Sequence, residues 1–315
     1  MNTGVTSIQL AIPMCRDNLQ PIRSVGGLGC SHRQQANRFT KRVSASRGSL
    51  WGVAMLAVAA VGVSTLATVS ASPVLLVDYK AVNYNAITGV WTDSSGNGNN
   101  ATVPVTATAP TLLANATPNG SSAVSFVAGF GPQEYLDITT GLAPGSGYTI
   151  LAFGEPTEAV YLDDNLVGGP SGAVKYFIGP TQGINYQLLG NGATTFGSSN
   201  TGVPTTAFSM IGVATDNVGN ATFYFNGSAD GTTTGSSPFT AAINLIGARA
   251  APATGFFTGN IAELQVYSGV LTTSQVQTVN QSFINSYVNS VPEPGALVML
   301  ALGTLGLLLI RRRTA

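Results

Sequence analysis

Short runs of hydrophobic residues recur between residues 73 and 290 and are separated by clusters of Gly, Asn, Ser and Thr. In residues 261–267, apolar side chains alternate with Glu263 and Gln265, which we expect to face water. Short runs rich in β-branched and aromatic residues predict further strands at residues 123–127, 148–153, 174–178, 184–189, 208–215 and 221–225. This spacing predicts an all-β fold, an antiparallel two-sheet jelly-roll sandwich.

Near residue 270 the hydrophobic period lengthens to that of an α-helix. Apolar side chains recur at helical spacing between residues 276 and 288. Thr272, followed three residues later by Gln275, has the pattern of a capping box. We therefore expect one C-terminal helix whose apolar stripe packs on the sandwich.

An uninterrupted apolar run occupies residues 51–63, after a basic segment that ends at Arg47. Small and polar residues follow, and Ala71 completes a small-x-small cleavage pattern. Residues 48–71 are therefore predicted to be a secretory signal peptide cut after Ala71. The alternative is an N-terminal membrane anchor, although a spanning helix needs about 20 apolar residues. Residues 1–47 have the composition of a basic, disordered extension, and a misannotated start codon would account for them.

A second apolar run, residues 295–310, is followed by Arg311, Arg312 and Arg313. As a helix it would be about 24 Å long, close to the ~30 Å hydrocarbon core of a bilayer. The run is therefore predicted to be a C-terminal transmembrane helix. The positive-inside rule places the three arginines in the cytoplasm and the preceding domain outside.

The formal net charge of zero, from 13 Lys+Arg and 13 Asp+Glu, hides an asymmetry along the chain. Residues 73–290 hold three bases and eleven acids, a net charge of −8, and the remaining bases lie mostly at the two ends. This balance excludes a basic nucleic-acid-binding protein, so no nucleic-acid partner is expected.

Histidine and cysteine are confined to the N-terminal part of the sequence, at Cys15, Cys30 and His32. After signal-peptide cleavage the domain at residues 73–290 would hold neither residue type. That composition excludes a Ser-His-Asp triad, a cysteine nucleophile, a Cys/His zinc site and structural disulfides.

The C-terminal segment resembles a known bacterial sorting signal. Val291 is followed by Pro292, Glu293 and Pro294, and then come the apolar run and the arginine cluster. Together these parts are similar to the PEP-CTERM family. The resemblance implies that a membrane protease, an exosortase, processes the chain at this motif. It also implies that the membrane holds the precursor before the protein reaches the cell surface or extracellular matrix.

A second resemblance covers most of residues 73–290. Five segments are similar to concanavalin A-like, laminin-G-like domains. They are VWTDSSGNGNNAT at residues 90–102, residues 123–138, residues 148–156, ATFYFNG at 221–227 and the closing segment 257–271. The resemblance implies a jelly roll of lectin type. Members of this family bind carbohydrate or protein, some of them through calcium, and some are glycosidases.

One loop has the beginning of a calcium-binding pattern. Asp93, Ser95 and Asn97 place oxygen-bearing side chains at the first, third and fifth positions of an EF-hand-like loop. Pro104 stands where the acid of the twelfth position is expected, which excludes an EF-hand. A looser calcium site is one hypothesis. The favoured alternative is a turn held by Asx hydrogen bonds.

Four aromatic residues in or near predicted loops are candidates for stacking on sugar rings, with core packing as the favoured alternative. They are Tyr84, Trp91, Tyr161 and Tyr186.

Carboxylates are the catalytic groups that the composition leaves, since two acids suffice for glycoside hydrolysis. Six acids cluster within about thirty residues: Glu134, Asp137, Glu155, Glu158, Asp163 and Asp164. The E-x-D-x-x-E strand of laminarinase-type enzymes is absent, and solvated loop charge explains these acids more simply. We therefore predict no catalytic residue. The leading hypothesis is an exported, non-catalytic surface or matrix protein that binds polysaccharide. The alternatives are a carboxylate-dependent glycoside hydrolase and a protein-adhesion module.

Overall fold

The computed structural model describes residues 72–127, 133–157, 164–181, 184–191, 194–235, 239–250 and 255–290. Within these ranges the chain forms sixteen β-strands, one α-helix and a short 3-10 helix at Pro170–Gly172. Ala71, the extension before it and the sorting segment from Val291 to Arg313 lie outside the described residues.

The strands pair antiparallel throughout and are numbered in chain order. They are β1 (Val74–Asn85), β2 (Val90–Asp93), β3 (Ala101–Thr102), β4 (Thr111–Leu113), β5 (Ala123–Phe126), β6 (Leu136–Leu142), β7 (Gly147–Pro156), β8 (Asp164–Gly168), β9 (Lys175–Thr181), β10 (Ile184–Asn191), β11 (Thr194–Ser198), β12 (Ser209–Asp216), β13 (Ala221–Phe225), β14 (Ser228–Thr233), β15 (Ile243–Ile246) and β16 (Gly259–Ser268). The single α-helix, α1, spans Thr273–Tyr287. All seven strands expected from the hydrophobic pattern are therefore confirmed.

The hydrogen-bonded path of strands folds over into two layers. Layer 1 has the order β14-β13-β12-β7-β16-β1, with β5 paired to β16 and β4 paired to β5. Layer 2 has the order β11-β10-β9-β8-β15-β6-β3, and β2 joins β3 to β1. The two ends of the path approach each other, because Thr233 Oγ1 donates to the Phe196 carbonyl at 2.9 Å. The expected two-sheet sandwich is confirmed, and its sides nearly close into a barrel.

The main core lies between the two layers and is built by alternate residues of both. The largest fully buried side chains there are Trp91, Tyr79, Tyr148, Tyr176, Phe126, Phe223, Phe239 and Phe257. Trp91 is central, with ring centroids 5.6 Å from Tyr79 and 6.4 Å from Phe126. Burying each such side chain stabilises the fold by about 1.5–3 kcal/mol. This hydrophobic core is therefore sufficient to stabilise a domain without disulfides.

One polar side chain, Gln187 of β10, crosses this core and is fully buried. Its Oε1 accepts from the Tyr176 hydroxyl at 2.7 Å and from the Gly212 N–H of β12 at 3.0 Å. Its Nε2 donates to the Tyr224 carbonyl of β13 at 2.8 Å. Gly212 and Tyr224 are register partners, so the amide of Gln187 bridges a donor and an acceptor of the β12–β13 ladder. This network joins layer 2 to layer 1.

Helix α1 packs on the outer face of layer 1. The Phe153 ring stacks on Tyr287 of the helix, with centroids 5.5 Å apart, and Val276 and Phe283 are buried in the same cluster. The expected capping box is present, because the Thr272 and Gln275 side chains each accept from the other's backbone N–H.

The covering helix corrects one expectation of the sequence. Glu263 and Gln265 were expected to face water, but only 3% and 9% of their surfaces are exposed. They do lie on the face opposite the main core, but α1 covers that face.

The described helices include no segment with the length and apolar character needed to cross a membrane. The predicted transmembrane run, residues 295–310, falls outside the ranges that the structure describes.

Candidate functional site

The loop proposed for calcium is closed by hydrogen bonds to the carboxylate of Asp93. Its Oδ1 accepts from the N–H groups of Asp78 at 3.0 Å and Ser95 at 2.8 Å. Its Oδ2 accepts from the Ser95 hydroxyl at 2.8 Å and the Asn99 N–H at 3.1 Å. Both oxygens therefore already receive two donors each, the geometry of an Asx-type turn.

The other two candidate ligands face the backbone of β1. Asn97 Nδ2 donates to the carbonyls of Leu75 and Leu76, at 2.8 and 3.1 Å. The Ser95 hydroxyl lies 3.3 Å from the Leu76 carbonyl. A cation at this loop would have to displace these bonds, and the calcium hypothesis stays a prediction. In the described part of the chain, no group of three or more His, Cys, Asp or Glu residues could hold a metal ion.

The aromatic candidates differ in accessibility. Trp91 is fully buried and its Nε1 donates to the Lys80 carbonyl at 2.8 Å. Tyr84 is also buried and its hydroxyl donates to the Pro110 carbonyl at 2.8 Å. Both rings therefore serve the core, out of reach of a ligand.

Tyr186 is the half-exposed candidate, and Tyr161 lies outside the described residues. Tyr186 precedes the inward-facing Gln187 on β10, so its ring points to the outer face of layer 2. Its cross-strand partner is Gly179, and the side chains of Leu188 and Phe177 fill the space above that glycine.

The predicted acids that the structure describes occupy different environments. Glu134 is buried, and its Oε2 accepts from the Val127 N–H at 2.8 Å. Asp137, three residues further along an extended chain, points to the opposite side of layer 2. Glu155 lies in β7 of layer 1 and accepts from Asn260 Nδ2 at 3.3 Å.

Burial raises the pKa of both Glu134 and Asp137. For Glu134 the Val127 N–H opposes that rise. Asp164 is buried in β8, and Glu158 and Asp163 lie outside the described residues.

A pair of acids that the sequence did not indicate lies beneath α1. Asp78 of β1 and Glu263 of β16 are both buried, and Gln265 Nε2 lies 2.6 Å from Glu263 Oε1 and 3.5 Å from Asp78 Oδ1. The Tyr287 hydroxyl of α1 donates to Glu263 Oε2 at 2.7 Å. Lys80 Nζ lies 3.2 Å from Asp78 Oδ2. We call this group of five side chains the helix-side cluster.

The electrostatics of the helix-side cluster are dominated by burial. Burial, reinforced by the neighbouring Asp78, raises the pKa of Glu263 to about 7, against the opposing hydrogen bond from Tyr287. Burial also raises the pKa of Tyr287, and the charge of Glu263 adds to the rise. An acid with such a pKa could donate or accept a proton near neutral pH, but α1 covers it. The cluster is therefore placed to hold the helix.

Two antiparallel layers packed face to face, with one helix on an outer face, form the sandwich expected of a jelly roll. Residues 130–277 match the family model described as the concanavalin A-like lectin/glucanases superfamily. Residues 290–313 match the PEP-CTERM protein-sorting motif. The chain thus carries a concanavalin A-like domain followed by a PEP-CTERM motif, and both expected resemblances are confirmed. The motif implies export and processing by an exosortase.

A solved structure of 19% identity shares this fold. Domain 4 of AbnA, a GH43 extracellular arabinanase from Geobacillus stearothermophilus in complex with arabinotriose, is 19% identical, with a TM-score of 0.52 over 66% of this chain and 99% of that chain. The binding domain of Paraclostridial Mosquitocidal Protein 1 is 13% identical, with a TM-score of 0.48 over 67% of this chain and 52% of that one. At these identities the likeness concerns the fold alone. No curated protein matches the chain.

Proposed function

We propose that this protein is an exported, non-catalytic component of the cell surface or extracellular matrix whose sandwich binds carbohydrate and which an exosortase sorts. The observation that carries the proposal is the direct succession of a concanavalin A-like domain and a PEP-CTERM motif. The signal peptide ending at Ala71 exports the chain, and residues 295–310 anchor the precursor with Arg311–Arg313 in the cytoplasm. Processing at Pro292, Glu293 and Pro294 then releases or transfers the domain.

The outer face of layer 2 is the proposed carbohydrate-binding surface. Helix α1 covers part of the outer face of layer 1, whereas Tyr186 presents a half-exposed ring beside Gly179 on layer 2. A partly exposed aromatic ring is a suitable platform for a sugar ring.

The binding test uses titration calorimetry with a panel of oligosaccharides. Arabinotriose is the first probe, because it is the ligand in the complex of the GH43 domain with the same fold. Tyr186→Ala should abolish binding and Tyr186→Phe should keep it. Binding that is equal in all three proteins would remove Tyr186 from the site. If no oligosaccharide binds, the carbohydrate proposal fails, and pull-down with matrix proteins then tests the adhesion alternative.

The non-catalytic part of the proposal rests on the placement of the acids. Glu134 and Asp137 point to opposite sides of layer 2, and the acid pair at Asp78 and Glu263 lies under a helix. Hydrolysis of any polysaccharide in a reducing-sugar assay would contradict it. Loss of that hydrolysis in Glu134→Gln or Asp137→Asn would identify the catalytic acids.

A further inference from the structure

The end of α1 is held firmly against the sandwich. Asn119, in the loop between β4 and β5, donates its backbone N–H to the Tyr287 carbonyl at 3.1 Å and its Nδ2 to the Ser286 carbonyl at 2.9 Å. The Tyr287 hydroxyl is bonded to the buried Glu263. The fixed part of the domain therefore continues almost to Ser290, and only the residues after Ser290 can separate it from the apolar run.

The tether between this helix end and the membrane is short. Four residues, 291–294, separate Ser290 from the apolar run that starts at residue 295. Fully extended, they span at most about 14 Å, at ~3.5 Å a residue. The headgroup layer on one side of a bilayer takes up about 5–8 Å of that length. In a precursor anchored as proposed above, the end of α1 therefore stays within about 10 Å of the headgroups.

The elements that form this end of the domain contain no charged residue of their own, although Glu263 and Lys80 of the helix-side cluster lie close to Tyr287. Residues 103–126 and 264–290 contain no Asp, Glu, Lys or Arg, although residues 73–290 as a whole carry −8. Repulsion between acidic side chains and anionic lipids extends about 8 Å at physiological ionic strength. An acidic face would be repelled at this distance, whereas an uncharged face is not.

The same surface exposes apolar side chains that headgroup regions accept. Leu113 of β4, whose partner Ala123 lies in the cluster beneath α1, is 39% exposed, and Val288, just after α1, is 40% exposed. Asn119 and Ser121 of the loop at 114–121 are uncharged and bond to backbone carbonyls at the helix end. Apolar groups among neutral polar ones are typical of surfaces that lie at the membrane interface.

We propose that the domain of the anchored precursor rests on lipid headgroups through this uncharged face, formed by β4, loop 114–121 and the last turn of α1. The proposal depends on the membrane anchoring proposed above. It defines the orientation of the domain during processing, with α1 ending at the bilayer and the Asp216–Asn220 turn pointing away from it.

Two reporter positions test this orientation in the full-length chain after Cys15→Ser and Cys30→Ser. Ala114→Cys labels the uncharged face. Val218→Cys labels the distant turn, where Val218 is 62% exposed. Beside this turn Asp216 pairs with Gly147 at the start of β7, whereas Glu263, near the helix end, pairs with Phe153. The two pairs are about 20 Å apart along β7 at ~3.4 Å a residue.

Each variant carries an environment-sensitive fluorophore and is reconstituted in vesicles of phosphatidylethanolamine and phosphatidylglycerol with a headgroup-attached nitroxide quencher. We expect quenching at position 114 to exceed that at position 218 several-fold. A Gly/Ser linker of about twelve residues inserted after Ser290 should reduce quenching at position 114 toward that at 218, because it loosens the tether.

The outcomes separate this inference from the proposed function. A chain that does not float with the vesicles in a density gradient contradicts the anchoring and, with it, the orientation. A chain that floats but shows equal quenching at the two positions contradicts the orientation alone. Quenching at position 114 that the linker leaves unchanged would also overturn it, because the short tether would then not be the cause.

Discussion

Two polar networks are buried on opposite faces of layer 1. Each holds another element against this layer, one through an uncharged amide and the other through carboxyl groups. On the inner face, Gln187 meets two donors and one acceptor with an uncharged amide. On the outer face, the helix-side cluster places the carboxyl groups of Asp78 and Glu263 near each other under α1. Burying a neutral amide with full hydrogen bonding costs little, whereas burying an ionised acid costs much more. The contribution of the inner network to stability should therefore be independent of pH, whereas that of the outer network should depend on pH.

Removing the amide of Gln187 should give the largest loss of stability. Gln187→Ala leaves the Gly212 N–H, the Tyr224 carbonyl and the Tyr176 hydroxyl without this partner in the core. Each unsatisfied buried group costs about 1–3 kcal/mol, so we expect a loss of roughly 3–5 kcal/mol. Urea unfolding at pH 5 and pH 8 measures it, and the loss should be equal at both values.

Gln277, exposed on α1, supplies the matched control. Gln277→Ala should change the free energy of unfolding by less than about 0.5 kcal/mol. A loss at Gln187 that is no larger than this would mean that the amide does not join the two layers.

The pH dependence of the outer network should be the next largest effect. The folded state holds a proton on Glu263 up to about pH 7, whereas an unfolded chain releases it near pH 4.3. Stability is therefore highest below pH 4.3 for this group and falls as the pH rises to about 7, by at most ~4 kcal/mol. Unfolding curves from pH 4 to pH 8 measure the fall.

Glu263→Gln should flatten that dependence, because the amide does not titrate. Glu134 and Asp137 also have raised pKa values and act in the same direction, so the difference between the two proteins is the quantity to compare. A difference that stays constant from pH 4 to pH 8 would contradict the assignment to Glu263.

Tyr287→Phe tests the bond between the helix and the cluster. The ring keeps its stacking on Phe153, and Glu263 loses one hydrogen bond. At pH 8, above the raised pKa of Glu263, this bond is made to a charged group. Such a bond contributes about 1.5–3 kcal/mol, so we expect a loss near 2 kcal/mol at that pH. Hydrogen exchange should show faster opening of the last turn of α1, with the inner β12–β13 ladder unchanged. Equal acceleration in both places would mean that the two networks are not independent.

Asp78→Asn should give the smallest effect. It removes the like charge that raises the pKa of Glu263 and the ion pair with the partly exposed Lys80. The loss of a pair at such a surface costs under about 1 kcal/mol. The fall in stability should then occur at lower pH, which the same unfolding series detects. A fall at unchanged pH would show that burial alone sets the pKa of Glu263.

The sequence indicated those features that depend on neighbours along the chain. The strands with clear alternation, the capping box at Thr272 and the PEP-CTERM motif all have local signals. Strand β14, with the sequence SADGTT, has no apolar alternation, and its pairing with β13 establishes it as a strand. The helix stripe predicted packing on the sandwich without indicating which face it covers.

The features that the sequence missed depend on register between distant strands. Asp78 and Glu263 come together because β1 pairs with β16 so that Asp78 lies opposite Gln265 and Lys80 opposite Glu263. Alternation alone placed Glu263 in water, because a pattern shows that a face is polar but not what covers it. Trp91, in the short strand β2, resembled a loop aromatic for the same reason, since its burial depends on Tyr79 and Phe126 from other strands.

The contact between β11 and β14 affects how much unpaired strand edge the protein exposes. A strand at the end of a sheet offers unpaired N–H and C=O groups to other chains, and this is a common start of aggregation. Here the Asn200 N–H donates to the Asp230 carbonyl at 2.7 Å, and Thr233 binds Phe196, so the two terminal strands occupy each other. For an exported protein, beyond the reach of cytoplasmic chaperones, this pairing reduces the exposed strand edge that other chains could join.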